Sequence, residues 1–135
     1  MGPRRQEALM APTIDEVVER ARRTLVRVTP EQAAAELAQG ALVVDIRTES
    51  DRAVEGEIPG AIVIERTVLE WRLDPTSPSR LEPVTDHEIR VIVVCAEGYS
   101  SSLAAASLQD IGLVNATDVV GGFEAWKAAG LPIRR

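Results

Sequence analysis

Short β-branched runs alternate with helical stretches along this chain, and that alternation restricts its fold more than any other feature. Leu42-Val43-Val44-Asp45-Ile46, Ala61 to Ile64, Arg90 to Val94 and Ala116 to Val120 each have the length and branching of a strand. Between them lie segments that read as helices, about Glu49 to Glu55, Thr67 to Leu73 and Ser100 to Ile111, and Phe123 to Ala129 closes the chain. Strands separated by a crossover helix pair in parallel, because the crossover returns the chain to the edge it started from. The pattern predicts an α/β fold with a mostly parallel central sheet of about five strands and helices on both faces, Val26 to Val28 supplying a short edge strand. Aromatic residues make up only 3% of the sequence, so the core between these layers must be aliphatic.

At 135 residues the chain is long enough for one domain with a substantial core. Residues 1–12 read as a disordered tail broken by Gly2, Pro3 and Pro12. Residues 13–25 read as an extra N-terminal helix, capped by Thr13, with Ile14, Val17, Val18, Ala21 and Leu25 at helical spacing. This extension is expected to pack on the sheet of the domain that follows, residues 26–135. Thr29-Pro30-Glu31-Gln32 is a capping box with proline at the first helical position, and Gly40 ends that helix. Asp74 to Pro83, with prolines at 75, 78 and 83, is a long internal loop.

A net charge of −6 argues against nonspecific nucleic-acid binding, which works through clustered Lys and Arg. One cysteine cannot form an intramolecular disulfide, and one cysteine with one histidine cannot make the usual four-ligand zinc site. No metal or cofactor is expected. No segment approaches the roughly 18 apolar residues of a membrane span. Arg4 and Arg5 are followed by Gln6 and Glu7 and by no long apolar stretch. No signal peptide is read, and the cytoplasm, where a lone thiol stays reduced, is the expected compartment.

That lone thiol, Cys95, ends the run Val91-Ile92-Val93-Val94 and is followed by Ala96-Glu97-Gly98-Tyr99-Ser100-Ser101-Ser102 and an alanine-rich helix. A thiol between a strand end and a helix N-terminus lies where backbone N–H groups are unpaired and the potential is positive. That setting lowers a thiol pKa and makes a nucleophile. Gly98 permits a tight turn, and the small residues Ala96, Ser100 and Ser101 leave room for amides to point inward as an anion-binding ring. The other reading is a structural thiol packed as a small hydrophobe. In parallel sheets ligands collect beyond the carboxyl ends of the strands, which gathers Asp45-Ile46-Arg47, Glu65-Arg66, the Cys95 loop and Gly121-Gly122 at one edge.

Cys95-Ala96-Glu97-Gly98-Tyr99-Ser100-Ser101 resembles the active-site loop of single-domain rhodaneses, Cys-x-x-Gly-x-Arg/Ser/Thr-Ser. Val43-Val44-Asp45-Ile46-Arg47 is similar to the family's strand ending in Asp-x-Arg. Gly56-Glu57-Ile58-Pro59-Gly60-Ala61 is similar to its Gly-His-Ile-Pro-Gly-Ala motif, with Glu57 in place of the histidine. Val120-Gly121-Gly122-Phe123 to Trp126, with Gly130-Leu131-Pro132, resembles its C-terminal ending. The resemblance implies a sulfurtransferase in which Cys95 takes a sulfane sulfur from a small anionic donor such as thiosulfate. The persulfide then passes its sulfur to a thiol, to cyanide or to a sulfur-carrier protein. It implies a binding loop of residues Ala96, Glu97, Gly98, Tyr99, Ser100 and Ser101. Arg47 and Arg66 are candidates to offset Glu97, since this loop has no Lys or Arg of its own. A structural ion pair with Asp45 or Glu49 is the other reading of Arg47.

Two related chemistries fit less well. A cysteine protease needs a histidine beside the thiol. His87 precedes the strand that ends at Cys95, and at about 3.3 Å per residue it falls at the opposite end. A Cys-x5-Arg phosphatase needs a guanidinium six residues after the thiol, where this chain has Ser101. A noncatalytic rhodanese-like module that binds through the same pocket is the alternative to an enzyme.

Overall fold

The computed structural model describes residues 10–135. The tail expected over residues 1–12 lies almost wholly outside them. Helix α1 (Ile14–Arg22) and helix α2 (Pro30–Ala38) precede strand β1 (Leu42–Asp45). Helix α3 (Glu49–Glu55) leads to strand β2 (Ile62–Val63). A 3-10 turn (Arg66–Val68) then runs into helix α4 (Leu69–Leu73). After a long connection come strand β3 (Val91–Val94), helix α5 (Ser100–Asp110), strand β4 (Ala116–Asp118) and helix α6 (Gly122–Ala128).

The local sequence explains the helix starts. Thr13 and Thr29 each accept the N–H of the residue three positions on, and Glu16 and Gln32 return the bond to the cap backbone. Thr48 caps α3 from its side chain in the same way.

All strand pairs are parallel, in the order β2-β1-β3-β4. Chain order reverses between β1 and β3, so the crevice between their carboxyl ends is the topological switch point. The sheet has four strands where five were expected. Val28 makes only an isolated parallel bridge with Val119. Pro30, which has no N–H to donate, opens α2 two residues later and leaves no length for a strand. The internal connection runs from Asp74 to Arg90, longer than the sequence indicated.

The central strands β1 and β3 bury both faces, as parallel strands between helices must, whereas the edge strand β2 leaves Val63 exposed. Val44, Val91 and Val93 point toward α4 and α5, where they meet Leu69, Leu73, Ala104, Ala105 and Leu108. Val43, Ile92 and Val94 point the other way and meet Ala33, Ile58, Phe123 and Trp126. Trp126 is fully buried and donates its indole N–H to the Pro132 carbonyl at 2.9 Å. Trp71 is 61% exposed and belongs to the surface, not the core. Helix α1 packs against α5 instead of the sheet, because the alanine face of α5 already covers that side. Only Leu25, beyond its end, joins the core.

At the β4–α6 junction two backbone segments approach closely. Gly122 has φ +60°, and a Cβ there would lie 2.5 Å from the Cys95 carbonyl oxygen and 2.8 Å from the Gly98 nitrogen. Gly122→Ala is therefore expected to lower unfolding free energy by about 1–3 kcal/mol, read by urea denaturation followed by circular dichroism.

Candidate active site

Cys95 immediately follows β3 and is 5% exposed. Burial pushes its thiol up. Hydrogen bonding by the Ser101 and Ser100 side chains and by the Ser101 and Gly98 backbone outweighs it, and the net displacement is below the ordinary thiol value. The Gly98 N–H donates to Sγ at 3.1 Å and the Ser101 N–H at 3.3 Å. Ser101 lies in the first turn of α5, an eleven-residue helix, so its N–H also carries the positive end of the helix dipole to the sulfur. Ser101 has a single hydroxyl proton, and its Oγ lies 2.7 Å from Asp118 Oδ2. The hydroxyl donates its hydrogen bond to that carboxylate. The main-chain N–H of Ser101 is thus its firm contribution to the sulfur, and Ser100 is the freer hydroxyl donor.

The loop rests on the start of α6. The Phe123 N–H donates to the Cys95 carbonyl at 2.8 Å and the Glu124 N–H to the Ala96 carbonyl at 3.0 Å. Gly98 has φ +88°, and a Cβ on it would stand 2.8 Å from the Gly121 nitrogen, so only glycine fits between the two segments. Ala96, Glu97, Tyr99 and Ser100 face outward, while Gly98 and Ser101 are buried.

Arg47 is a correction as a donor-binding group. Its side chain is 1% exposed and forms an ion pair with Asp45 at 2.7 Å. It also donates to the Gly56 carbonyl at 2.8 Å and lies over the Phe123 ring, 3.8 Å from the centroid. Enclosed this way, its charge is directed to the end of β1, α3 and α6. Asp45 also accepts the Arg47 N–H at 2.9 Å, closing the turn after β1. Arg66 is paired with Glu70 at 2.9 Å and stays 41% exposed. It lines a cleft of about 500 Å³ between the ends of β1 and β2, together with Ile46, Arg47 and Thr48. The cleft's lining does not include the Cys95 loop. His87 is exposed in the connection before β3, away from the thiol.

Three residues escaped the sequence reading. Arg27 pairs with the fully buried Asp118 at 2.8 Å, and Arg22 and Arg27 both donate to the Gly98 carbonyl, at 2.8 and 3.0 Å. A signal existed for two of them. Arg27 and Asp118 are opposite charges inside otherwise apolar runs, Val26 to Val28 and Ala116 to Val120, and buried charges are normally paired. Nothing local marks Arg22, which extends from the last turn of α1.

The family model for the rhodanese-like domain matches residues 29–129. A thiosulfate sulfurtransferase GlpE from Pseudomonas entomophila is 39% identical over 102 residues, covering 76% of this chain and 84% of that protein. A thiosulfate sulfurtransferase GlpE from Haemophilus influenzae is 34% identical over 106 residues, covering 78% and 91%. Among solved structures, a protein of unknown function from Rhodopseudomonas palustris, described as a possible tyrosine phosphatase, superposes with a TM-score of 0.82. It is 32% identical, and the match covers 92% of this chain and 96% of that one. The human single-domain sulfurtransferase shares the fold, with a TM-score of 0.63 at 24% identity, covering 76% and 95%. With a parallel sheet flanked by helices, a cysteine at its switch point and this extent of likeness, the chain belongs to the rhodanese-like family.

Proposed function

We propose that this protein is a sulfurtransferase that carries sulfur as a Cys95 persulfide. The observation that supports the reading most is the pair of main-chain N–H groups, from Gly98 and Ser101, aimed at Sγ. The likeness to thiosulfate sulfurtransferases supports thiosulfate as a donor. The thiolate attacks the outer sulfur of the donor. The donor's S–S bond breaks and sulfite leaves with its electron pair, so Cys95 becomes a persulfide anion. An acceptor thiolate or cyanide then attacks the terminal sulfur and the Cys95 thiolate is restored. The two half-reactions predict ping-pong kinetics. The same N–H groups that hold the thiolate are suited to the persulfide, an anion one atom longer. No redox partner is needed, because the sulfur moves at the oxidation level at which it arrives.

Glu97 is exposed on the loop and repels a dianionic donor, so a persulfide on a small thiol or on a carrier protein suits this site better than thiosulfate. A reduced, cytoplasmic setting is consistent with a nucleophile that has no disulfide partner. Arg66 is already paired with Glu70, in a cleft whose lining excludes the Cys95 loop, so no part in offsetting Glu97 is assigned to it.

Treatment with thiosulfate or glutathione persulfide should add one sulfur, about 32 Da, to the tryptic peptide containing Cys95. Absence of the adduct with every donor would instead favour the noncatalytic binding module. Cys95→Ser should abolish transfer and leave the circular dichroism spectrum unchanged. Alkylation of Cys95 by iodoacetamide should titrate with a midpoint below the ~8.5 of a free cysteine. The depressed pKa keeps the thiolate populated as pH falls toward that midpoint, and the rate is lost below it. Glu97→Lys should raise turnover with thiosulfate about two- to threefold at low ionic strength, and less as salt is added.

A further inference from the structure

We propose that Arg22 and Arg27 are positioning residues for the sulfur cradle, bracing the two residues whose N–H groups touch Cys95. The inference rests on Cys95 being the working nucleophile. It assigns a role to the N-terminal extension and to a cluster of buried polar groups that the sulfur-transfer steps do not use.

The contacts form a closed circuit. Arg22 Nη2 and Arg27 Nη2 meet at the Gly98 carbonyl oxygen. Arg22 Nε donates to Ser102 Oγ at 3.0 Å, and Ser102 Oγ donates to Asp118 Oδ2 at 2.8 Å. Arg27 completes the ring with two bonds to Asp118, at 2.8 and 3.2 Å. Ser101 Oγ donates to the same carboxylate. Both residues whose N–H groups reach the sulfur are thereby held, Gly98 by its carbonyl and Ser101 by its hydroxyl. A glycine at φ +88° is otherwise the loop residue freest to rotate, and rotation there would turn one of the two amides away.

The circuit also sets the charge balance behind the loop. Asp118 faces it from β4, and Arg27 matches that charge. Arg22 bonds neutral acceptors, so its charge reaches the loop peptide without a carboxylate between them. Its guanidinium also lies 5.4 Å from the centre of the Tyr99 ring. On α1, Asp15 and Glu19 share a shallow surface cleft with Arg22 and Tyr99. On α6, Glu124 is exposed, and within the loop Glu97 is exposed. Of these groups, only the two arginines touch the Gly98 carbonyl. They supply from the N-terminal segment the cation that the loop sequence lacks, and they do so from the side of the loop that faces α1.

The test is the pH profile of Cys95 alkylation by iodoacetamide in the full chain, for Arg22→Met, Arg22→Lys and a control on the exposed face of the same helix, Arg20→Gln. In Arg22→Met the midpoint should rise, and the rate at a fixed pH below it should fall about fivefold, where a full pKa unit would be tenfold. Arg22→Lys should recover part of the loss, and Arg20→Gln should overlay the unaltered protein. A merely structural role predicts the opposite sign, since a loosened loop exposes the thiol and speeds its alkylation. A folded Arg22→Met protein with an unshifted midpoint would overturn the proposal. For Arg27, whose removal strands a buried carboxylate, the Arg27→Met/Asp118→Asn pair is measured, with the same upward shift expected and an unchanged midpoint counting against the role. Because alkylation reads thiol ionisation without any sulfur donor, a protein that transfers no sulfur would refute the enzyme reading and leave this test intact.

Discussion

Main-chain hydrogen bonds to one buried sulfur are the interaction on which this molecule turns. A thiol that is 5% exposed should by solvation alone be held neutral. Its pKa is instead displaced below the ordinary thiol value, because the loop directs N–H groups at it over 3.1 to 3.3 Å at the start of an eleven-residue helix. Each element nearby helps to keep those groups aimed. The parallel register of β1 and β3 brings Asp45 opposite Val94, one residue before the nucleophile. The double glycine at the head of α6 lets that helix press its first N–H groups onto the carbonyls of Cys95 and Ala96.

Two charge networks flank the loop, and they do different things. On the β1 side, Asp45 and Arg47 are almost fully enclosed and join the strand end to the Gly56 carbonyl and the Phe123 ring. Such a pair contributes geometry more than net stability, since desolvation consumes most of the attraction, but losing one partner would leave a stranded charge. On the β4 side, Asp118, Ser101, Ser102 and the two arginines hold the residues whose N–H groups contact sulfur. The first network is local, with its charged partners two residues apart. In the second the arginines lie 71 to 91 positions from their partners, and the two serines lie 17 and 16 positions from Asp118.

That difference in range explains how much was legible in the sequence. The cap at Thr13, the capping box at Thr29, the β-branched runs, and the strand–loop–helix around Cys95 are all short-range patterns, and they indicated the layers, the parallel sheet and the place of Cys95 at its edge. Arg47 could be read either as a ligand for a donor or as a partner for Asp45, because sequence cannot tell which way a guanidinium turns. The fifth strand failed because a three-residue run before a proline has strand propensity but no room to pair. Arg22 was invisible because its partners lie across the fold, and only coordinates bring α1 onto α5 and over the loop.

The circuit behind the loop also has a temporal side. Arg22 and Arg27 precede Cys95 in the chain, whereas Asp118, Gly121 and Gly122 follow it. A growing polypeptide that has emerged past Cys95 but not yet past Asp118 therefore lacks the carboxylate and the helix start on which the loop rests. The two sides of the circuit can close only after β4 has been made and has docked beside β3.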